Sequence, residues 1–302
     1  MAARTLTPGP SRRRRRNRVS SVWWFVLPAA AFYIFAVIVP SVRGASFAFT
    51  DWNGISPTKN WVGLEQFQTI FSDPYGSVAI RNTLLIAVAV TIIQNVIGLL
   101  IALGVNSRIK SRGILRVLIF APVVVTSIAV GFLWKNLFAP DGGINEILRA
   151  VGLDGLAQNW LGDADIAIWA IIVVVIWQFS GYSMVIFLAG LQGVPEEVLE
   201  AAALDGAGPV RRFWSVVRPM LAPAITINLM LSIIGGFKLF DQVFAMTKGG
   251  PGGATNTIST LIYQNAFQLG KFGYGAALAV LLTILVAIAA SIQYRLLSKQ
   301  EG

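Results

Sequence analysis

Six apolar stretches, each long enough to cross a lipid bilayer, constrain this chain more than any other feature of its sequence. A membrane span needs about 20 mostly apolar residues, and the stretches fall at residues 22–42, 83–105, 117–138, 166–191, 221–246 and 274–294. Four contain no charged residue, the third contains Lys135, and the fifth contains Lys238 and Asp241. A chain that does not close into a barrel can pair its backbone N–H and C=O groups in lipid only by forming helices. The sequence therefore predicts an all-α, polytopic membrane protein with six transmembrane helices, and not a soluble protein with buried helices.

The distribution of Lys and Arg predicts which side of the membrane each connector occupies, because cytoplasmic connectors carry the excess of basic residues. The N-terminal tail, the connectors after the second and fourth stretches and the C-terminus together hold 16 basic residues, whereas the other three connectors hold six. The 16 are Arg4, Arg12, Arg13, Arg14, Arg15, Arg16, Arg18, Arg108, Lys110, Arg112, Arg116, Arg211, Arg212, Arg218, Arg295 and Lys299. We therefore expect a multi-pass protein of the cell membrane with both termini in the cytoplasm.

Residues 1–21 form a basic tail, expected to be cytoplasmic and disordered, ahead of a single membrane domain at residues 22–302. A run of five arginines holds such a tail inside and contacts anionic lipid. Nucleic acid is the alternative partner for so basic a sequence, but we expect none, because the other basic residues follow the membrane topology. A cleaved signal peptide is a second alternative, although the first apolar stretch is too long for one and lacks a clear cleavage site.

Composition excludes most catalytic chemistry. The chain contains no His and no Cys, and only 13% of its residues are charged. Imidazole and thiol catalysis, disulfides and the usual zinc sites are therefore absent. The stretch KGGPGG at residues 248–253 lacks the spacing of a phosphate-binding loop. We therefore predict that this chain has no metal site.

The connector at residues 192–220 is polar and contains the sequence EAAALDGAGPVRRFW at residues 200–214. Pro195 suits the first turn of a helix, and Glu196 and Glu197 suit its positive end. Gly206 is expected to stop that helix, and a second short helix is expected to end at Arg218-Pro219. The pattern predicts a helix–turn–helix on the cytoplasmic face. Pattern alone leaves two interpretations, a loop lying on lipid and a docking element for a cytoplasmic partner.

The residue types in this connector resemble the EAA loop of permease subunits in binding-protein-dependent ABC importers. The resemblance implies the type I permease fold of these importers. In that family the loop forms a coupling helix that fits a cleft of a separate ATPase subunit. Phe213, Pro219 and Pro223 belong to the same match. Carried onto this chain, the ATPase-coupling residues are Glu200, Ala201, Ala202, Asp205, Gly206 and Ala207.

A second stretch narrows the resemblance to carbohydrate permeases. FKLFDQVFAMTKGGPGGATNTISTLIYQNAF, at residues 237–267, is similar to the end of the fifth core span and the following outer loop in the larger maltose-permease subunit. The resemblance implies a sugar-importer subunit that forms half of the translocation pathway. Because ATP is then hydrolysed by a partner, we expect this chain not to be an enzyme and to have no catalytic residue or cofactor of its own. It also implies four kinds of partner: a second permease of the other type, two ATPase subunits, an extracytoplasmic sugar-binding protein and a carbohydrate substrate.

Polar residues within spans are costly and usually face a cavity, and they concentrate here in the fourth and fifth stretches. Lys238 and Asp241 are three residues apart, so on one helix they are expected to share a face and neutralise each other. In the maltose-type subunit, sugar-contacting positions lie in these two helices. Carried onto this chain, the positions are Gln178, Phe179, Tyr182, Ser232, Gly235, Gly236 and Leu239. The two glycines either leave room for a bulkier ligand or leave this subunit without a sugar site.

Two rival functions remain at this point. A secondary carrier driven by an ion gradient needs ionisable residues near the membrane midplane, whereas Lys238 and Asp241 lie toward one end of their stretch. An ABC permease for a non-sugar solute is the second rival, and the stretch after Thr247 argues against it.

Overall fold

The computed structural model describes residues 19–107 and 110–298, and most of these residues are helical. Residues 1–18 of the tail predicted to be disordered lie outside the described residues. So do Arg108 and Lys299, two of the basic residues used to predict the orientation. The helices are α1 (Val19–Tyr33), α2 (Val39–Ser46), α3 (Glu65–Ser72), α4 (Pro74–Asn106), α5 (Arg112–Val124), α6 (Ser127–Leu137), α7 (Gly143–Ala150), α8 (Ala167–Gln192), α9 (Glu196–Leu204), α10 (Pro209–Arg212), α11 (Arg218–Met220), α12 (Ala222–Phe237), α13 (Asp241–Met246), α14 (Ile258–Tyr263) and α15 (Phe272–Ser298).

Within the described residues, five helical segments are long and apolar enough to cross a membrane, and a bent pair makes a sixth. The five are Phe25–Phe49, Pro74–Asn106, Ala167–Gln192, Ala222–Met246 and Phe272–Leu297. The bent pair is α5 with α6. The prediction of an all-α protein with six apolar spans is therefore confirmed. By its internal contacts the chain divides into two units after Gly44, and the helices that line the cavity described below lie in the unit from Ala45 onward.

Helix α8 lies at the centre of this second unit. It packs against α4, α5 and α12, and most of its residues are buried. One hydrophobic cluster joins the C-terminal ends of α4 and α8 to the start of α12, through Ala102, Val105, Leu191 and Leu221. We call this the α9 end of the unit, because α9 follows α8 directly, and the opposite end is the distal end.

Two of the spans are broken, which corrects the expectation of six continuous helices. Helices α5 and α6 meet at 96°, with Val125 extended at φ −75° and ψ 136°. Pro122, inside α5, removes a backbone donor and crowds the preceding turn. The fifth span breaks between Phe237 and Asp241. Irregular backbone is tolerated at membrane depth only where it is buried in protein or lines a cavity.

Side chains satisfy a carbonyl at each break. Gln178 Nε2 donates to the carbonyl of Val125 at 3.1 Å, and Thr257 Oγ1 donates to the carbonyl of Leu239 at 3.3 Å. A carbonyl left unpaired in a buried position is unfavourable by about 1–3 kcal/mol. The two side chains therefore stabilise backbone that the helices leave exposed.

The second helix of the connector does not end at Arg218-Pro219, which corrects the prediction made from the sequence. A π-helical segment, Phe213–Val217, precedes Pro219, and helical backbone continues to Met220. Pro40 follows the π-helical segment Ile34–Ile38 in the same way. A π-bulge widens the turn in which the proline ring would otherwise meet a carbonyl. The helix therefore passes through the proline instead of stopping there.

The connector between the fifth and sixth spans is fastened to the distal end of α4. Asn82 Nδ2 donates to the carbonyls of Ala254 at 2.7 Å and Asn256 at 2.9 Å. Thr83 Oγ1 accepts from the amide of Ile258 at 3.0 Å. Helix α14, which the sequence pattern did not predict, begins in this connector with a capping box formed by Thr257 and Thr260. The connector is therefore an ordered cap on the distal end.

Candidate functional site

A cavity of about 490 Å³ lies between α4, α8, α12 and the two helix breaks. Its wall combines aromatic rings, hydroxyls, side-chain amides, glycines and one charge of each sign. The lining residues are Val90, Gln94, Val123, Ser127, Val175, Phe179, Tyr182, Leu231, Ser232, Gly235, Gly236, Lys238, Leu239, Phe240, Asp241 and Gln242.

The structure brings together six of the seven residues predicted for a substrate pathway. Phe179, Tyr182, Ser232, Gly235, Gly236 and Leu239 all line the cavity. Gln178 does not; it is 1% exposed. Its Oε1 instead accepts a hydrogen bond from Nε2 of Gln242, 2.8 Å away, and Gln242 does line the cavity. Gln178 therefore holds the lining residue Gln242 in place without lining the cavity itself.

Adjacent glycines in α12 have different surroundings. A Cβ at Gly236 would lie 2.7 Å from Cα of Ala87, whereas a Cβ at Gly235 would have no neighbour within 4 Å. Gly236 thus allows α12 to approach α4 closely, and Gly235 keeps space open in the cavity. Of the two glycines, only Gly235 therefore leaves room for a ligand, and Gly236 serves close helix packing.

Lys238 and Asp241 do not form the predicted pair on one helical face. The chain leaves the helix at Lys238 and re-enters helix at Asp241, so the three-residue spacing no longer sets their geometry. Both side chains are exposed, and both line the cavity. The cavity wall thus presents a separate cation and a separate anion.

A buried polar cluster lies on the α9 side of the cavity. Gln94 donates to Ser183 Oγ at 2.8 Å, and Ser183 donates to Asn228 Oδ1 at 3.2 Å. Beside them, Asn95 donates to Ser232 Oγ at 2.8 Å. Gln94 and Ser232 also line the cavity. The cluster links α4, α8 and α12 by side-chain hydrogen bonds in the interior of the unit.

Sequence reasoning missed the contributions of α4 and of the third span. Gln94 and Asn95 were not predicted, although Thr91 and the later Gly98 place a polar and small-residue stripe on the same face of α4. Ser127 and Val123 flank the break in the third span. The proline in APVVVTS was the available indication of that break.

The cavity suits a hydroxyl-rich solute. Phe179, Tyr182 and Phe240 offer aromatic surface for C–H faces, and amides and hydroxyls both donate and accept hydrogen bonds. Pockets that combine apolar surface with a few oriented polar groups are typical small-molecule sites.

Helix α9 and its turn form the second candidate site, which we call the coupling segment, residues 196–208. The helix ends in a Schellman motif: the amide of Gly206 donates to Ala203 and the amide of Ala207 donates to Ala202, each at 3.0 Å. Gly206 has φ +78°, as expected for a glycine that stops a helix. Leu204 is 90% exposed.

The six residues assigned to coupling lie together on this segment. Glu200, Ala201, Asp205 and Gly206 are exposed, and Ala202 and Ala207 are half-buried. Small side chains beside an exposed carboxylate leave room for close approach by another surface.

Comparison with known proteins identifies the class to which this architecture belongs. Residues 94–301 match the family described as "Binding-protein-dependent transport system inner membrane component". The chain belongs to this family. It is therefore a multi-pass membrane permease of a binding-protein-dependent transport system, a transport component and not an enzyme.

Three curated relatives match this chain over nearly the whole length of both sequences. The multiple sugar-binding transport system permease MsmF of Streptococcus mutans is 33% identical, covering 92% of this chain and 96% of the relative. The probable starch degradation products permease AmyD of Thermoanaerobacterium thermosulfurigenes is 34% identical, covering 92% and 94%. The lactose permease LacF of Rhizobium radiobacter is 32% identical, covering 90% and 92%.

The fold also matches a solved structure. A chain of a bacterial ABC transporter involved in import of the acidic polysaccharide alginate superposes with a TM-score of 0.81. The match covers 93% of this chain and 96% of that chain at 20% identity. The predicted ABC importer permease fold is therefore confirmed.

Proposed function

We propose that this chain is a permease subunit of an ATP-driven sugar importer and contributes half of the translocation pathway. One observation carries the proposal: Phe179, Tyr182 and Ser232, at positions expected to contact sugar, line one cavity and present aromatic faces and a hydroxyl beside the amides of Gln94 and Gln242. A carbohydrate offers C–H faces for stacking and hydroxyls for hydrogen bonding. The three relatives named for sugars, starch products and lactose support the same substrate class.

The proposed complex contains a second permease of the other type, two ATPase subunits and an extracytoplasmic sugar-binding protein. The excess of basic residues supports a cytoplasmic location for the termini and the coupling segment. The distal end, with its ordered cap, then faces the binding protein. Glu200, Leu204 and their neighbours meet the ATPase.

ATP binding and hydrolysis on the partner subunits would move the coupling segment. Helix α9 follows α8 directly, and helical backbone from Pro209 to Met220 leads into α12. A displacement of the segment therefore acts on two of the helices that line the cavity. Rigid-body rocking of this kind alternates access to a central site. The buried links from Gln94 to Ser183 and from Ser183 to Asn228 keep α4 moving with them.

A secondary carrier is the less favoured alternative. Carriers of that class place coupled ionisable groups near the membrane midplane. Lys238 and Asp241 are the charged residues of this cavity, and both lie at the break on its distal side.

Purification of the tagged protein from its native membrane tests the proposal. We expect an ATPase, a second permease and a sugar-binding protein to co-purify. The reconstituted complex is then assayed for ATP-dependent uptake of lactose, maltose, maltotriose, maltohexaose and N,N′-diacetylchitobiose, which we call the sugar panel. Uptake of a panel sugar without ATP, or no uptake of any panel sugar, contradicts the proposal.

A further inference from the structure

Four aromatic rings form a continuous series that begins at the cavity wall and ends in the distal connector. Phe240 lines the cavity and stacks on Phe244, with ring centroids 5.1 Å apart and planes inclined by 17°. Phe244 contacts Tyr263 at 5.1 Å, and Tyr263 lies 5.9 Å from Phe267. We call these four residues the aromatic track.

The track is accessible along its length. Phe240, Phe244 and Tyr263 are half-buried, and Phe267 is 70% exposed. The four rings come from three different elements, the break before α13, α13 itself and the segment from α14 to Gln268. Folding therefore assembles the series from two stretches of chain that are separated by residues 245–262.

Polar side chains lie at both ends of the track. Exposed Lys238 and Asp241 flank Phe240 at the cavity. Exposed Gln268 and Lys271 follow Phe267 at the distal end. A lipid chain cannot form hydrogen bonds with these polar side chains. A carbohydrate, in contrast, stacks its C–H faces on aromatic rings and pairs its hydroxyls with polar groups. The ring spacing is also comparable to the length of one sugar residue in an oligosaccharide.

We propose that the aromatic track is an entry path, along which carbohydrate passes from the distal, extracytoplasmic side into the cavity by stacking on successive rings. The inference rests on the proposed function and adds a second carbohydrate site outside the cavity. Continuity with the cavity at Phe240 distinguishes this path from an isolated aromatic surface at the membrane boundary.

The test compares ring removal with ring replacement in the whole reconstituted complex. Phe267→Leu and Tyr263→Leu keep apolar side chains but remove the stacking faces, and Phe267→Trp restores one. Phe71→Leu is the matched control, because Phe71 is 65% exposed and, among the described residues, contacts no other ring. Uptake of each panel sugar is measured over a range of concentrations, together with membrane level and co-purified subunits.

At low sugar concentration we expect both track variants to reduce uptake roughly two- to tenfold, which corresponds to the loss of one aromatic contact. The loss is expected to be greater for maltohexaose than for maltose, since a longer chain occupies more rings. Phe267→Trp and Phe71→Leu are expected to retain wild-type uptake.

Three results overturn the inference. If the wild-type complex transports a panel sugar and the leucine variants transport it equally well, the entry path is rejected and the proposed function stands. If wild type transports none, the proposed function fails and the track fails with it. If the leucine variants lose co-purified subunits while uptake per assembled complex is unchanged, the rings form a subunit contact instead.

Discussion

Gln242 donates a hydrogen bond from its Nε2 to Oε1 of Gln178, 2.8 Å away, and thereby joins the break of the fifth span to α8. Nε2 of the same Gln178 donates to the carbonyl of Val125, at the break of the third span. One buried amide on α8 thus fixes both irregular segments of the cavity wall. The shape of the cavity depends on a residue that does not line it.

Gln178→Ala should therefore destabilise the protein. It leaves the carbonyl of Val125 and the amide of Gln242 without these partners, at about 1–3 kcal/mol for each buried group. Tyr182→Ala should leave stability nearly unchanged and alter uptake, because Tyr182 lines the cavity and is 39% exposed. Thermal unfolding in detergent and uptake of the sugar panel distinguish the two variants. If Gln178→Ala changed sugar preference at unaltered thermal stability, Gln178 would contact substrate directly, as the sequence predicts.

The adjacent glycines of α12 provide a matched pair. Gly236→Ala should destabilise the protein by about 1–3 kcal/mol, because the new methyl overlaps the backbone of Ala87. Gly235→Ala adds the same methyl to open space, so stability should be kept while the cavity becomes narrower. Thermal unfolding measures the first effect, and the apparent affinity for panel sugars measures the second. Equal destabilisation by both substitutions would mean that α12 does not pack on α4 in this way.

Sequence patterns predicted the spans because length and apolar composition alone determine whether a helix can cross a membrane. They did not predict the breaks, because Pro122 permits a break without fixing where it occurs. The bend at Val125 depends on a hydrogen bond from Gln178, 53 residues further along the chain. The pairing assigned to Lys238 and Asp241 failed for the same reason: a helical spacing applies only if the helix continues.

Polar residues in the fourth and fifth spans indicated which helices line the cavity. The resemblance to sugar permeases supplied the individual positions on those helices. Gln94 could not be selected in the same way, because α4 carries several polar residues on one buried face. Only the packing of α4 against α8 shows which of them reaches the cavity. Gln178 had the expected residue type in the expected helix, but the side of the helix on which it lies was not predictable from spacing.

The turn after α9 should be sensitive to substitution at only one of its two flanking glycines. Gly206 has φ +78°, and a Cβ added at either Gly206 or Gly208 would have no neighbour within 4 Å. Gly206→Asp should therefore impose about 1–2 kcal/mol of backbone strain, whereas Gly208→Asp should be tolerated at the N-cap of α10. We expect only the first to abolish ATP-driven uptake while membrane level is normal. Equal uptake by both variants would contradict a coupling role for this turn.

Glu200→Lys tests the proposed contact with the ATPase. Glu200 is exposed, so charge reversal should leave folding unchanged. At a docked surface, placing like charges together is unfavourable by several kcal/mol. Co-purified ATPase and uptake should therefore fall together at normal membrane level. Glu197→Lys is the control, since Glu197 is exposed on the same helix and lies outside the six residues assigned to coupling. Undiminished ATPase recovery with Glu200→Lys would favour a loop that rests on lipid.

Reporter fusions test the orientation. Fusions at the N-terminus, near Ser111 and at the C-terminus should report cytoplasm, and fusions near Asn60 and Gly155 should report the outside. The reason is the unequal distribution of Lys and Arg among the connectors. A fusion at Gly206 should also report cytoplasm, and an outside result there would reject both the orientation and the coupling segment.

The side chain of Asn82 has its acceptors 172 and 174 residues later in the chain. During synthesis, α4 is therefore made long before the connector that will satisfy this amide. The distal cap can consequently form only after the fifth span has been made. A chain that ends before Ala254 lacks both acceptors of Asn82, so incomplete subunits differ chemically from finished ones at this amide.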